Sequence, residues 1–268
     1  MFRAIDKIAV KFNESDAGVE SLTRYEAGQE FDTMRLIGVG SEPLPTVAEI
    51  LALRDIESRR VAREEIGTYL MTGTIWVPQS GVEGTVSTYV SGIDRAREDV
   101  DFGKFGRTRS ALDGDRAWSE VFGRFEELHG KRLEEASRNH PAVISGDWHD
   151  FFDSIQVLKM GGLDGTKVYI LKLQRGELPP ETFYVDAGSG DVLKSKGKVL
   201  AQGDIGIPVV ARYEDYRVVH GIRIPFRMVA TNESADPGQV VVQYDTIETN
   251  VNVSDDIFTL SPPAGGRS

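Results

Sequence analysis

Residues 182–195 read TFYVDAGSGDVLKS, and two different folds follow from two readings of them. A glycine-rich loop cradles phosphate when it leads from a strand into a helix, whose N-terminus aims free N–H groups and a positive dipole end at the anion. No helical pattern follows Gly190. Asp191-Val192-Leu193-Lys194-Ser195-Lys196 mixes polar and apolar residues in the manner of a second strand, and Gly188 and Gly190 suit the positive φ of a tight connection. The stretch is therefore read as a β-hairpin in a large antiparallel sheet.

Outward from this hairpin the period of two persists. IGTYLMTGTIWV, GTVSTYVSG, DRAREDVDFG and KFGRTRSALDG-DRAWSEVF run from residue 66 to 122, with turns at PQSG, GID, FGKFG and DGD. After an interruption at 126–154 it resumes through QVLKMGG, TKVYILKL, ETFYVD, GDVLKSKGKVL, IPVVARYEDYRVVHG, IRIPFRMVA and QVVVQYDTIETN. This predicts about eleven strands, near the upper size of an open sheet, so strong curvature or closure is expected. Thr46 and Glu49 have capping-box spacing ahead of an apolar stripe, which predicts a helix over 46–64. The interruption holds a charged helix-favouring run ended by Pro141, then DWHDFFDSI, read as a short second helix. Residues 5–37 read as a three-strand meander, and the Gly/Pro-rich 38–45 places a boundary near residue 40. The expected fold class is mainly β with helices: a small meander over 1–40, then over 41–268 a strongly curved antiparallel sheet or incomplete β-barrel with helices covering one side.

The 268 residues carry a formal charge of −11, and no basic run with interleaved aromatics occurs, which argues against a nucleic-acid partner. The absence of cysteine removes disulfides, thiolate metal sites and cysteine nucleophiles together. The N-terminal residues lack the apolar run of a signal peptide, and no segment approaches a transmembrane span. A periplasmic or secreted location is expected if a signal precedes this sequence.

The helix at 46–64 before a strand with Gly73, the LDGDRAW hairpin at 112–118, VLKMGGLDGTKVYILKL at 157–173, FYVDAGSGDVLKS at 183–195 and YEDYRVVHGIRIPFRM at 213–228 come in an order that resembles the LolA/LolB-like barrel superfamily, the lipoprotein-sorting-like proteins. The resemblance spans about 46–260. It implies an incomplete barrel closed by helices around an apolar cavity, with a hydrophobic small molecule or lipidated protein as partner. Residues 5–37 are similar to the β tail after the catalytic domain of serine β-lactamase-like hydrolases, which implies a second reading, a C-terminal accessory domain without activity of its own.

Catalytic motifs are weak. Ser195-Lys196-Gly197-Lys198 matches Ser-x-x-Lys only in a strand-and-turn region, and Gly-x-Ser-x-Gly, His-Glu-x-x-His and a Walker lysine are missing. Asp147, His149, Asp150 and Asp153 read as a solvated helical face, because only His149 and Asp153 share i,i+4 spacing. His129 and His140 are read as surface residues beside the charged helix, and His220 as a hairpin turn. The carboxylate pairs Glu214/Asp215, Asp113/Asp115 and Glu134/Glu135 show no opposed geometry from sequence. No cofactor and no metal are expected, and no enzyme activity.

The apolar side chains are more suggestive. Met71, Trp76, Tyr89, Trp118, Phe151, Phe152, Tyr169, Tyr184, Phe226 and Met228, with Met160, are candidates to line a cavity that solvates an acyl chain without hydrogen bonds. Their competing assignment is ordinary core. The loop at 232–239 is polar and offers no membrane-facing delivery feature, so binding or sensing is favoured over sorting.

Overall fold

The computed structural model describes residues 43–200, 205–233 and 238–261. The meander over 5–37, the boundary near residue 40 and the hydrolase-tail resemblance lie outside them. Thirteen strands form one antiparallel sheet rather than about eleven. They are β1 (Thr68–Val77), β2 (Val82–Ser91), β3 (Arg95–Asp101), β4 (Arg107–Asp113), β5 (Arg116–Val121), β6 (Arg124–Leu128), β7 (Ser154–Leu163), β8 (Thr166–Gln174), β9 (Glu181–Asp186), β10 (Val192–Leu200), β11 (Gly206–Val219), β12 (Ile222–Asn232) and β13 (Gln239–Thr249). The order runs β6-β5-β4-β3-β2-β1-β13-β12-β11-β10-β9-β8-β7, so the sheet is open and its two edges are consecutive in sequence.

The hairpin at 182–195 forms as read. β9 and β10 pair antiparallel, and Asp186 closes the turn by accepting the N–H groups of Gly188 and Ser189 at 2.7 Å. Of its two glycines only Gly190 is left-handed, at φ +72°.

Alternation sorts each strand into two faces. On β12 every second residue, Ile222, Ile224, Phe226, Met228 and Ala230, is buried. One core cluster joins such residues from β1–β3 and β8–β13, so the sheet wraps around it. The same cluster takes Ala142, Val143, Trp148, Phe151 and Phe152 from the segment 129–153, which links the two edges and crosses the concave face. At Gly73, β1 approaches β13 so closely that a Cβ would lie 2.0 Å from the Gln243 carbonyl oxygen.

Three helical expectations change. Thr46 and Glu49 form the capping box, but the helix breaks at Arg54 into α1 (Val47–Leu53) and α2 (Ile56–Ile66), because Arg54 turns inward and Asp55 takes a left-handed φ of +48°. The charged run is helical only as α3 (Lys131–Arg138), because Arg124–Leu128 pairs with β5. DWHDFFDSI makes a single 3₁₀ turn, Trp148–Asp150, after which Phe151 and Phe152 enter the core. Among the described residues no helix is long and apolar enough to cross a membrane.

Candidate functional site: a cavity under the crossing segment

A cavity of ≈190 Å³ lies between the concave sheet and the segment 129–153. Its apolar wall includes Met71 of β1, Phe183 of β9, Val209 of β11 and Ile224 and Met228 of β12. Its other wall is Asn139, His140, Pro141, Val143, Ile144 and Ser145 of the crossing segment.

That segment is fastened along its length. Arg54 Nη2 donates to the Ile144 carbonyl at 2.7 Å, and Arg63 Nη2 to Ser145 Oγ at 3.1 Å. Arg54 is buried with its guanidinium 4.4 Å from the Trp148 ring centroid. Burial, and then the neighbouring Arg59, pull its pKa down to about 9, so it stays cationic at neutral pH. Below it Asp191, also buried, accepts Arg223 Nη2 at 2.6 Å and lies 3.8 Å from Arg59. At the other end Glu135 Oε1 accepts the Leu200 N–H at 2.6 Å. His140, expected at the surface, is buried. Its Nδ1 accepts the Ala142 N–H at 3.1 Å, which puts the proton on Nε2, 3.0 Å from the Arg95 carbonyl that it meets. Phe151 stacks on its ring at 5.8 Å. Burial lowers its pKa to about 4.

Polar groups break the apolar wall at defined places. Tyr244 OH lies 3.1 Å from Thr88 Oγ1 and Tyr213 OH 3.2 Å from Ser195 Oγ, and all four residues border the cavity. Burial raises both tyrosines, Tyr244 above the ordinary phenol range and Tyr213 likewise, so both are neutral donors. Ser195 is thus a strand hydroxyl bonded to a tyrosine.

Of the candidate residues, Met71, Trp118 and Met228 border the cavity. Trp118 also packs with Ala111 and Leu260, under Arg116 at 4.8 Å. Phe151, Phe152 and Phe226 belong to the main core, and Tyr169 packs against it. Tyr184 sits with Leu163, Val168 and Ile170 in a separate cluster. Trp76 lies under Arg227 at 5.2 Å, and Tyr89 is half-buried between inward Thr88 and Val90. Reading single aromatics missed Tyr213 and Tyr244; their signal was register, two residues on from Ala211 and from Val242 on the buried face. The acidic cluster forms no metal site: Asp147 caps the 3₁₀ turn and sits 2.9 Å from His149 Nδ1, and Asp153 accepts the Gly176 N–H. Among the described residues no group of three or more His, Cys, Asp or Glu side chains converges.

No protein-family model matches the chain, and no curated protein is similar to it in sequence. Solved structures are similar in shape. A LolA superfamily protein from Nitrosomonas europaea superposes with a TM-score of 0.55 at 14% identity, covering 81% of this chain and 99% of its own. A DUF1329 family protein from Desulfovibrio piger gives 0.55 at 13%, covering 78% and 96%. At these identities the likeness is one of fold, and the open antiparallel sheet of the present protein, wrapped about its core and crossed by the link between its edges, is LolA-like.

Proposed function

We propose that this protein is a non-catalytic binding protein that takes up the apolar part of a lipid or lipidated peptide, in a bacterial cell envelope. The observation that carries the reading is the cavity between a concave apolar sheet and a separately fastened crossing segment. At ≈190 Å³ it is little larger than an engineered cavity of about 150 Å³ that admits benzene, so an acyl chain needs more room. The segment 129–153 supplies that room by lifting, in exchange for its hydrogen bonds, the Arg138–Glu181 ion pair and the core packing of Trp148, Phe151 and Phe152, against chain methylenes worth about 0.8 kcal/mol each. The LolA-like fold supports such a role and the envelope location proposed with it.

The test is organic extraction of protein purified without detergent, followed by mass spectrometry. A stoichiometric acyl compound is expected from the native protein and not from Met228→Trp, whose larger ring fills the cavity. An empty extract, together with no uptake of lipids offered in excess, refutes the reading.

A further inference from the structure

Given the binding role proposed above, on which this step rests, we propose that the cavity selects a neutral, oxygen-bearing acyl group, an ester or alcohol of the monoacylglycerol kind, over a free carboxylate or an amine. Among the described residues, each arginine that borders the cavity already has a carboxylate partner. Arg138 is buried and paired: it donates to the carbonyls of Pro179 at 2.7 Å and Lys198 at 3.2 Å, and forms ion pairs with Glu181 at 3.0 Å and Glu135 at 3.9 Å. Arg97 and Arg109 border the cavity but alternate with inward Glu98 and Thr108. Arg97 is spent on Asp99 and the Ile257 carbonyl, Arg109 on Glu120. Lys198 also borders the cavity, but it alternates with buried Val199 and is exposed to water. A carboxylate entering here would leave water and meet Glu181 and Glu98.

An amine fares no better, because Glu181 already holds Arg138 and Glu98 is itself engaged. The hydroxyl pairs, in contrast, suit neutral oxygen. Two hydroxyls in mutual contact use one O–H hydrogen between them, so Thr88–Tyr244 and Ser195–Tyr213 each keep a donor and lone pairs. Tyr213 faces Met228 in register and Met228 faces Val242, with Tyr244 two residues further along β13, so the tyrosines stand two strands apart and about 12 Å from each other, with Met228 beside the line that joins them. An ester meets a hydroxyl while its chain lies along the methionine.

The experiment uses the full chain with N-phenyl-1-naphthylamine bound, displaced at pH 8 by monolauroylglycerol, laurate or dodecylamine, which share one chain length. Monolauroylglycerol is expected to displace the dye at a concentration roughly tenfold below the other two. In the Tyr213→Phe/Tyr244→Phe double variant its advantage over laurate is expected to shrink to within about threefold. Laurate or dodecylamine displacing as well as the glyceride overturns the proposal, as does an unchanged ratio in the variant. Should the variant fold poorly, the ordering on the native protein decides alone. A protein that takes up neither dye nor lipid refutes the binding role itself, an outcome distinct from uptake without selection.

Discussion

His140 follows α3 with both ring nitrogens engaged and one face on Phe151, an arrangement that only the neutral ring satisfies. Its pKa falls from the usual 6.5 to about 4, so below pH 6.5 the unfolded chain binds a proton that the folded chain refuses. The stabilisation is whole above pH 6.5 and is lost as pH falls toward 4, about 2 kcal/mol of it between pH 7 and pH 5. Urea unfolding of the native protein should therefore weaken by about that much more over this interval than unfolding of His140→Gln, which cannot titrate; parallel losses would show an ordinary, solvated histidine. The sequence placed His140 beside a charged helix and so at the surface. What buries it is the carbonyl of Arg95, 45 residues away in the chain, and no local pattern carries that contact.

At the level of elements, the strands were legible because alternation in TVSTYV or IRIPFRM is a property of each strand alone. β6 was not, since RFEEL joins a charged run whose composition favours helix; pairing with β5 outweighs propensity there. The break at Arg54 was equally hidden, because the reason to bend lies in Trp148 and Ile144. Gly73 stood out in sequence as a glycine inside a strand, and the close approach of β13 explains it. Gly73→Ala sets a methyl against backbone and should cost more than about 2 kcal/mol, read as a lowered denaturation midpoint. A loss under about 0.5 kcal/mol would mean that β13 yields there freely.

On the scale of the molecule, the curved sheet with helical cover was readable from strand count and order, while the polar lining of the cavity depends on which faces meet across strands far apart in sequence. The strand order has a kinetic meaning. Every ladder but one joins strands adjacent in the chain, so β1–β6 and β7–β13 are two meanders built from local hairpins. The β1–β13 seam alone pairs residues some 170 apart, as in Thr72 with Thr246, and bears the loop-closure entropy of the whole sheet. The meanders should form first and the seam last. Ile75→Val at the seam should then act mainly by speeding unfolding, and Ile224→Val inside the β11–β12 hairpin mainly by slowing folding, a contrast that stopped-flow chevrons resolve. The protein is thus two quickly made halves held by one slow weld, and its lifetime in the folded state is set by how long that weld lasts.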